Sequence, residues 1–146
     1  MFSKSESTQL RKLFWTSFGK SFPRKWRLYN TQIKDFSFKF VASQKQAMVC
    51  LDIESFDNLK NQLLFEQIVE LKSILIEEYL PELIFDENYL LENGKIIHRI
   101  YVKHQQKFNI HDKNTWQPAY QFFNKNMNQF ELFYDDFEDF IKQAIK

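Results

Sequence analysis

The chain has 146 residues, with 20 Lys and Arg against 19 Asp and Glu and a formal net charge of +1, so no extreme charge marks it for one class of partner. That length suits a single domain, residues 1–146, able to bury roughly two-thirds of its unfolded surface. One cysteine, Cys50, excludes an internal disulfide, and no apolar run approaches the ~18 residues that a membrane span needs, so the expected setting is soluble and cytoplasmic.

The first predicted helix opens at Ser3-Lys4-Ser5-Glu6, a capping-box pattern in which each side chain satisfies an orphan backbone donor. Leu10, Leu13, Phe14 and Phe18 follow at helical spacing, and Gly19 and Pro23 bracket the end. Trp26 to Tyr29 reads as a short strand. Phe36-Ser37-Phe38-Lys39-Phe40 and Val49-Cys50-Leu51-Asp52-Ile53-Glu54 alternate with period two around a turn at 43–46. One face then carries the three Phe with Val49, Leu51 and Ile53; the other carries Ser37, Lys39, Cys50, Asp52 and Glu54. Asp57 is the expected cap of a second helix over 58–80, ended by Pro81, whose wide stripe suits a helix lying across a sheet. Strands near 83–89 and 96–103 are joined through Asn93-Gly94, which supplies the positive φ of a tight turn. Asn114 or Thr115 opens the last helix, with Phe123, Met127, Phe130, Tyr134, Phe137 and Ile141 in register and a break expected near Asp135-Asp136. The order α-β-β-α-β-β-α, with short turns between strands, predicts an α+β domain: an antiparallel sheet of about four to five strands packed against helices. Seventeen Phe, six Tyr and three Trp make the chain 18% aromatic, and that sheet face with its covering helices accounts for most of them.

Four stretches stand out together: Ser7-Thr8-Gln9-Leu10-Arg11-Lys12-Leu13-Phe14-Trp15-Thr16-Ser17-Phe18-Gly19, the run from Trp26 through Asn30-Thr31 and Ile33-Lys34-Asp35 to Phe40, Leu64-Phe65-Glu66-Gln67, and the last helix around Trp116. In combination they resemble the bacterial domain of unknown function 4268 family. The resemblance covers nearly the whole chain and implies one domain without a known activity. Similar domains also form the C-terminal half of larger bacterial proteins whose first half looks nuclease-like, which implies a link to nucleic-acid biology. The chain departs from the family pattern in a short loop before Trp26 and in Gln32, which stands where members have a glycine.

Two constellations could carry chemistry. On the polar hairpin face Asp35 lies opposite Glu54, Ser37 opposite Asp52, and Lys39 opposite Cys50. Two acids and a lysine there suit a Mg²⁺-dependent nuclease, with carboxylates as oxygen ligands and the lysine orienting the attacking water. Such sites usually set an acid and the lysine two residues apart on one strand; the only such spacing here, Glu70-Leu71-Lys72, falls in a helix. Cross-strand charge pairing explains the same residues. His98 and His104, six residues apart on a strand, stand roughly 20 Å from one another and cannot share an ion. With Gly19 and Gly94 alone, no phosphate-cradling loop forms.

The second constellation is basic and aromatic: Lys20, Arg24, Lys25, Trp26, Arg27, Tyr29, Lys34 and Lys39. Its cations attract phosphates and its rings can stack bases. Residues 1–40 hold nine Lys and Arg against two acids, and residues 131–146 hold two against five, so segments of the fold could also neutralise one another. The leading expectation is a non-enzymatic interaction or accessory domain acting on nucleic acid or a nuclease partner, with no metal and no cofactor. The alternatives are a divergent Mg²⁺-dependent nuclease using Asp52, Glu54 and Lys39, and a protein-binding module or homodimer formed through the Phe-rich last helix.

Overall fold

Helix α1 (Lys4–Ser21) begins where its cap is written: the Ser3 hydroxyl accepts from the Glu6 N–H at 3.1 Å, and Glu6 Oε1 accepts from the Ser3 N–H at 3.3 Å. The computed structural model, which describes residues 2–146, buries Phe14 and Phe18 of this helix and leaves Leu13 exposed. Strands β1 (Phe36–Ala42) and β2 (Ala47–Ile53) pair in the expected register, Ser37 opposite Asp52 and Lys39 opposite Cys50. β3 (Ile84–Leu90) and β4 (Ile96–Lys103) follow, joined through Gly94 at φ 88. The sheet has four strands in the order β1-β2-β4-β3, every pair antiparallel, so β2 and β4 are its centre.

Alternation divides the sheet into two unlike faces. Phe36, Phe38, Val49, Leu51, Ile53, Ile100 and Val102 are buried on one, and every helix-to-sheet aromatic contact among the described residues lands there. Ser37, Lys39, Cys50, Asp52, Arg99 and Tyr101 lie on the other.

Three expectations are corrected. Trp26 to Tyr29 do not form a strand. Arg27–Tyr29 make a 3-10 turn, closed by the Tyr29 N–H to the Trp26 carbonyl at 3.3 Å and the Asn30 N–H to the Arg27 carbonyl at 3.2 Å. Burial of Trp26 and Leu28 with exposure of Arg27 and Tyr29 imitates a strand's alternation in so short a segment. The second helix does not run unbroken to residue 80. α2 (Asn58–Val69), capped by Asp57, stops at a tight turn; a short α3 (Lys72–Ile74) then runs into a π-helical turn over Leu75–Tyr79. Leu75 and Leu80 are both buried and five residues apart, a spacing that the wider turn brings to one face. Third, α4 (Trp116–Lys142) passes Asp135-Asp136 without a break, because those acids are engaged by Arg27 and by the Tyr79 hydroxyl.

The apolar stripe of α4 is in the core: Phe123, Phe130 and Phe133 are at most 1% exposed. Its polar rim ties down the segment ahead of β1. The Tyr134 hydroxyl donates to the Thr31 carbonyl at 2.8 Å, and the buried Thr31 hydroxyl donates to the Phe36 carbonyl at 2.8 Å. In this loop Gln32 and Asp35 hold left-handed backbone at φ 65 and φ 59. The glycine that the family resemblance places at position 32 is thus the residue the backbone favours. Gln32→Gly is expected to stabilise the fold by about 0.5–1 kcal/mol, the left-handed penalty of roughly 1–2 kcal/mol less the extra chain entropy of glycine. A higher urea midpoint at unchanged slope is the reading that checks it.

Candidate functional site

On the face opposite the helices the central strands hold a buried ion pair. The register sets Asp52 beside Arg99, and the guanidinium grips the carboxylate twice, Nε to Oδ1 at 2.8 Å and Nη2 to Oδ2 at 2.9 Å. Both residues are at most 5% exposed, and Arg99 lies 4.3 Å from the Tyr89 ring. Lys39 extends the network, reaching Glu54 at 2.6 Å and Asp52 at 3.3 Å, while Lys95 donates to the Glu54 carbonyl at 3.0 Å. Burial drives both cations toward neutrality, but the hydrogen bonds and charges of their acidic neighbours outweigh it and hold Lys39 and Arg99 above their ordinary pKa values. Burial pushes the Cys50 thiol up to about 12, leaving it protonated and inert at neutral pH.

Asp52, Glu54 and Lys39 are therefore together, as the register predicts, and the Asp52 carboxylate is saturated. Both Asp52 oxygens face cations. A hard divalent ion needs several oxygens turned toward it, and among the described residues no three His, Cys, Asp or Glu side chains are placed to hold a metal. The three histidines have separate neighbours: His98 packs on Phe65 and His104 on Phe122, each with ring centroids 4.9 Å apart, and His111 Nε2 lies 3.1 Å from the Ser7 hydroxyl. Sequence reasoning passed over Arg99. The alternation of β4 marks it as facing away from Ile100 and Val102, but only the β2–β4 pairing shows that it meets Asp52.

The basic-aromatic stretch is split by the fold. Arg24 stacks over the Trp26 ring at 3.9 Å and hydrogen-bonds Asn128 Oδ1 at 2.8 Å and the Glu131 carboxylate. Arg27 pairs with Asp135 and Glu138, and its backbone N–H donates to Glu131 Oε2 at 2.9 Å. The amino-terminal basic block and the carboxy-terminal acidic block neutralise one another at this seam. The hydrogen bond from Lys142 and, against the effect of burial, the pairing with Arg27 hold the Glu138 carboxyl below its ordinary pKa.

What these contacts leave outward is narrower. Trp26 is buried, whereas Tyr29, next along the turn after Leu28, is 66% exposed. Two crevices share Tyr29 as a wall. One, of about 510 Å³, has an aromatic lining of Trp15, Phe22, Trp26 and Phe40 and includes Arg24 and Lys25. The other, of about 530 Å³, follows the strained loop through Gln32 and Asp35 and includes Lys34 and Lys39. Lys20, Lys25 and Lys34 are exposed and, among the described residues, take part in no ion pair.

No helix is long and apolar enough to cross a membrane among the described residues. Neither a curated protein nor a solved structure matches the chain. Residues 10–138 match the family described as Domain of unknown function (DUF4268), which takes in both the Tyr29 turn and the Asp52–Arg99 pair. The chain belongs to the DUF4268 family.

Proposed function

We propose that this chain is a non-enzymatic binding domain that holds single-stranded nucleic acid across the Tyr29 ridge. The observation that carries this reading is one exposed ring standing between two crevices, with lysines on both sides of it. An exposed tyrosine on a turn pinned to α4 offers a preorganised stacking surface, and stacking on an aromatic ring contributes about 1–3 kcal/mol per base. Lys20, Lys25 and Lys34 supply the sequence-independent attraction to phosphates. Arg24 and Arg27 act differently from the lysines: they fix the turn against α4 and so position Tyr29 and Trp26. With both Asp52 oxygens facing cations and Glu54 paired with Lys39, binding ranks ahead of catalysis in this reading.

Fluorescence anisotropy with a labelled single strand at low salt tests it. Binding is expected, weakening with salt; replacing Lys20, Lys25 and Lys34 together by Gln should lower the log–log salt slope by about 2, near 0.7 for each phosphate no longer neutralised. Tyr29→Ala should cost about 1–3 kcal/mol of affinity with the slope unchanged. Absence of binding at low salt, or full affinity in Tyr29→Ala, overturns the proposal. Equal affinity for a duplex, whose bases are already stacked, does so as well.

A further inference from the structure

A third crevice, of about 630 Å³, shares no lining residue with the Tyr29 surface and opens between α4, the turn after the π-helical segment and the end of β4. It lies within the ~300–1,000 Å³ range of small-molecule sites, and its wall is largely apolar, including Leu80, Pro81, Val102, Pro118 and Phe122. His104 lines it too. The His104 N–H donates to the Ala47 carbonyl at 2.9 Å, which carries the β2–β4 pairing one step past the strand end and fixes the residue's backbone. Its ring rests on Phe122 with centroids 4.9 Å apart.

Among the described residues, His104 Nε2 is the one buried side-chain nitrogen or oxygen with no hydrogen-bond partner. Burial lowers the pKa of this imidazole, so the ring is neutral at neutral pH and offers one donor and one acceptor according to tautomer. A buried polar atom without a partner is costly, and this one belongs to a residue of the crevice wall. Charge narrows the occupant's chemistry. Lys103 and Lys125 both line the crevice, are exposed and form no ion pair, against the single acid Glu82. An organic anion with a flat apolar body matches these features: the body lies on Phe122 and the aliphatic wall, and the anion meets the two ammonium groups.

We infer that this crevice is a binding site for a small aromatic carboxylate, seated against Phe122 and His104 and held by Lys103 and Lys125. The inference is independent of the nucleic-acid reading, since no residue is common to the two surfaces.

Nuclear magnetic resonance of the imidazole groups, titrated with naphthoate and separately with its neutral amide, is the experiment. Three histidines give three ring signals, and His104→Asn assigns the relevant one. Naphthoate is expected to move the His104 signal and leave that of His111, which lies against Phe2 and Ser7 instead. The amide should bind at least about tenfold more weakly. Lys103→Gln with Lys125→Gln should weaken naphthoate by a similar factor while leaving the amide unchanged, and unshifted His98 and His111 signals in that variant confirm that the fold is intact. A His104 signal unmoved by naphthoate overturns the site, and equal affinity for acid and amide overturns the assignment of an anion.

Discussion

Phe14→Ala is expected to destabilise the domain by about 3–5 kcal/mol, a large part of the ~5–15 kcal/mol that holds a domain of this size together. Phe14 is wholly buried, and its ring meets Trp15, Phe108, Trp116, Tyr120 and Phe123 with centroids 5.0–6.2 Å apart. Each such aromatic pair adds about 0.5–1.5 kcal/mol beyond the area it buries, so the loss exceeds that of a typical core truncation. The Phe14 carbonyl also accepts from the buried Tyr120 hydroxyl at 2.7 Å, so collapse around a cavity is resisted by a bond that fixes α1 against α4. Residual void rather than transferred area then dominates the cost. Phe14→Leu, which keeps most of the volume, should lose only about 1.5 kcal/mol. Urea denaturation of the three proteins measures both, and a Phe14→Ala loss below that of Phe14→Leu would contradict this account.

Phe14 was legible in the sequence as one member of a helical stripe, but its rank among the seventeen phenylalanines was not. Phe14 meets Phe108, Trp116, Tyr120 and Phe123 only because α1, the loop after β4 and the start of α4 converge. The same division runs through the rest of the fold. The capping box, the Asp57 cap, the hairpin register and the Gly94 turn are local, decided within a few residues by side chain-to-backbone bonds and alternation, and all are present. The 3-10 turn at Arg27–Tyr29 is set by acids on α4, 104 to 111 residues away, which no local pattern signals. The π-helical turn follows from the need to bury both Leu75 and Leu80, a tertiary demand that overrides helical periodicity.

The candidate sites divide in the same way. Asp52, Glu54 and Lys39 share a face as the hairpin alternation requires, and their neutralising partner Arg99 enters through a non-local strand pairing. The basic and aromatic residues from Lys20 to Lys39 are neighbours in sequence but not in role. Two arginines face α4, Trp26 stacks beneath one of them, and Tyr29 is left outside. His104 carried no sequence signal beyond an unsuitable distance to His98, because an orphan nitrogen is a property of packing alone.

The Asp52–Arg99 pair yields the second large effect, and a comparison of variants separates structure from catalysis there. Asp52→Ala is expected to cost about 3–5 kcal/mol, because it leaves the Arg99 guanidinium buried with no carboxylate to meet it. Arg99→Met should cost somewhat less, since Lys39 at 3.3 Å still faces the Asp52 carboxylate. Asp52→Leu combined with Arg99→Met removes both charges and fills the space with apolar atoms beside Cys50 and Ile97, both buried and two residues away along the same strands; it should return to within about 1 kcal/mol of the parent. Near-additive losses in the double variant would show that the pair is not the unit proposed here. The double variant is also the right reagent for the nuclease reading, which a destabilised single variant cannot address. If the parent cleaves labelled DNA with Mg²⁺ and the folded double variant does not, Asp52 has a chemical role. If neither cleaves while the single variant alone unfolds readily, the carboxylate's effect is accounted for by the charge it neutralises.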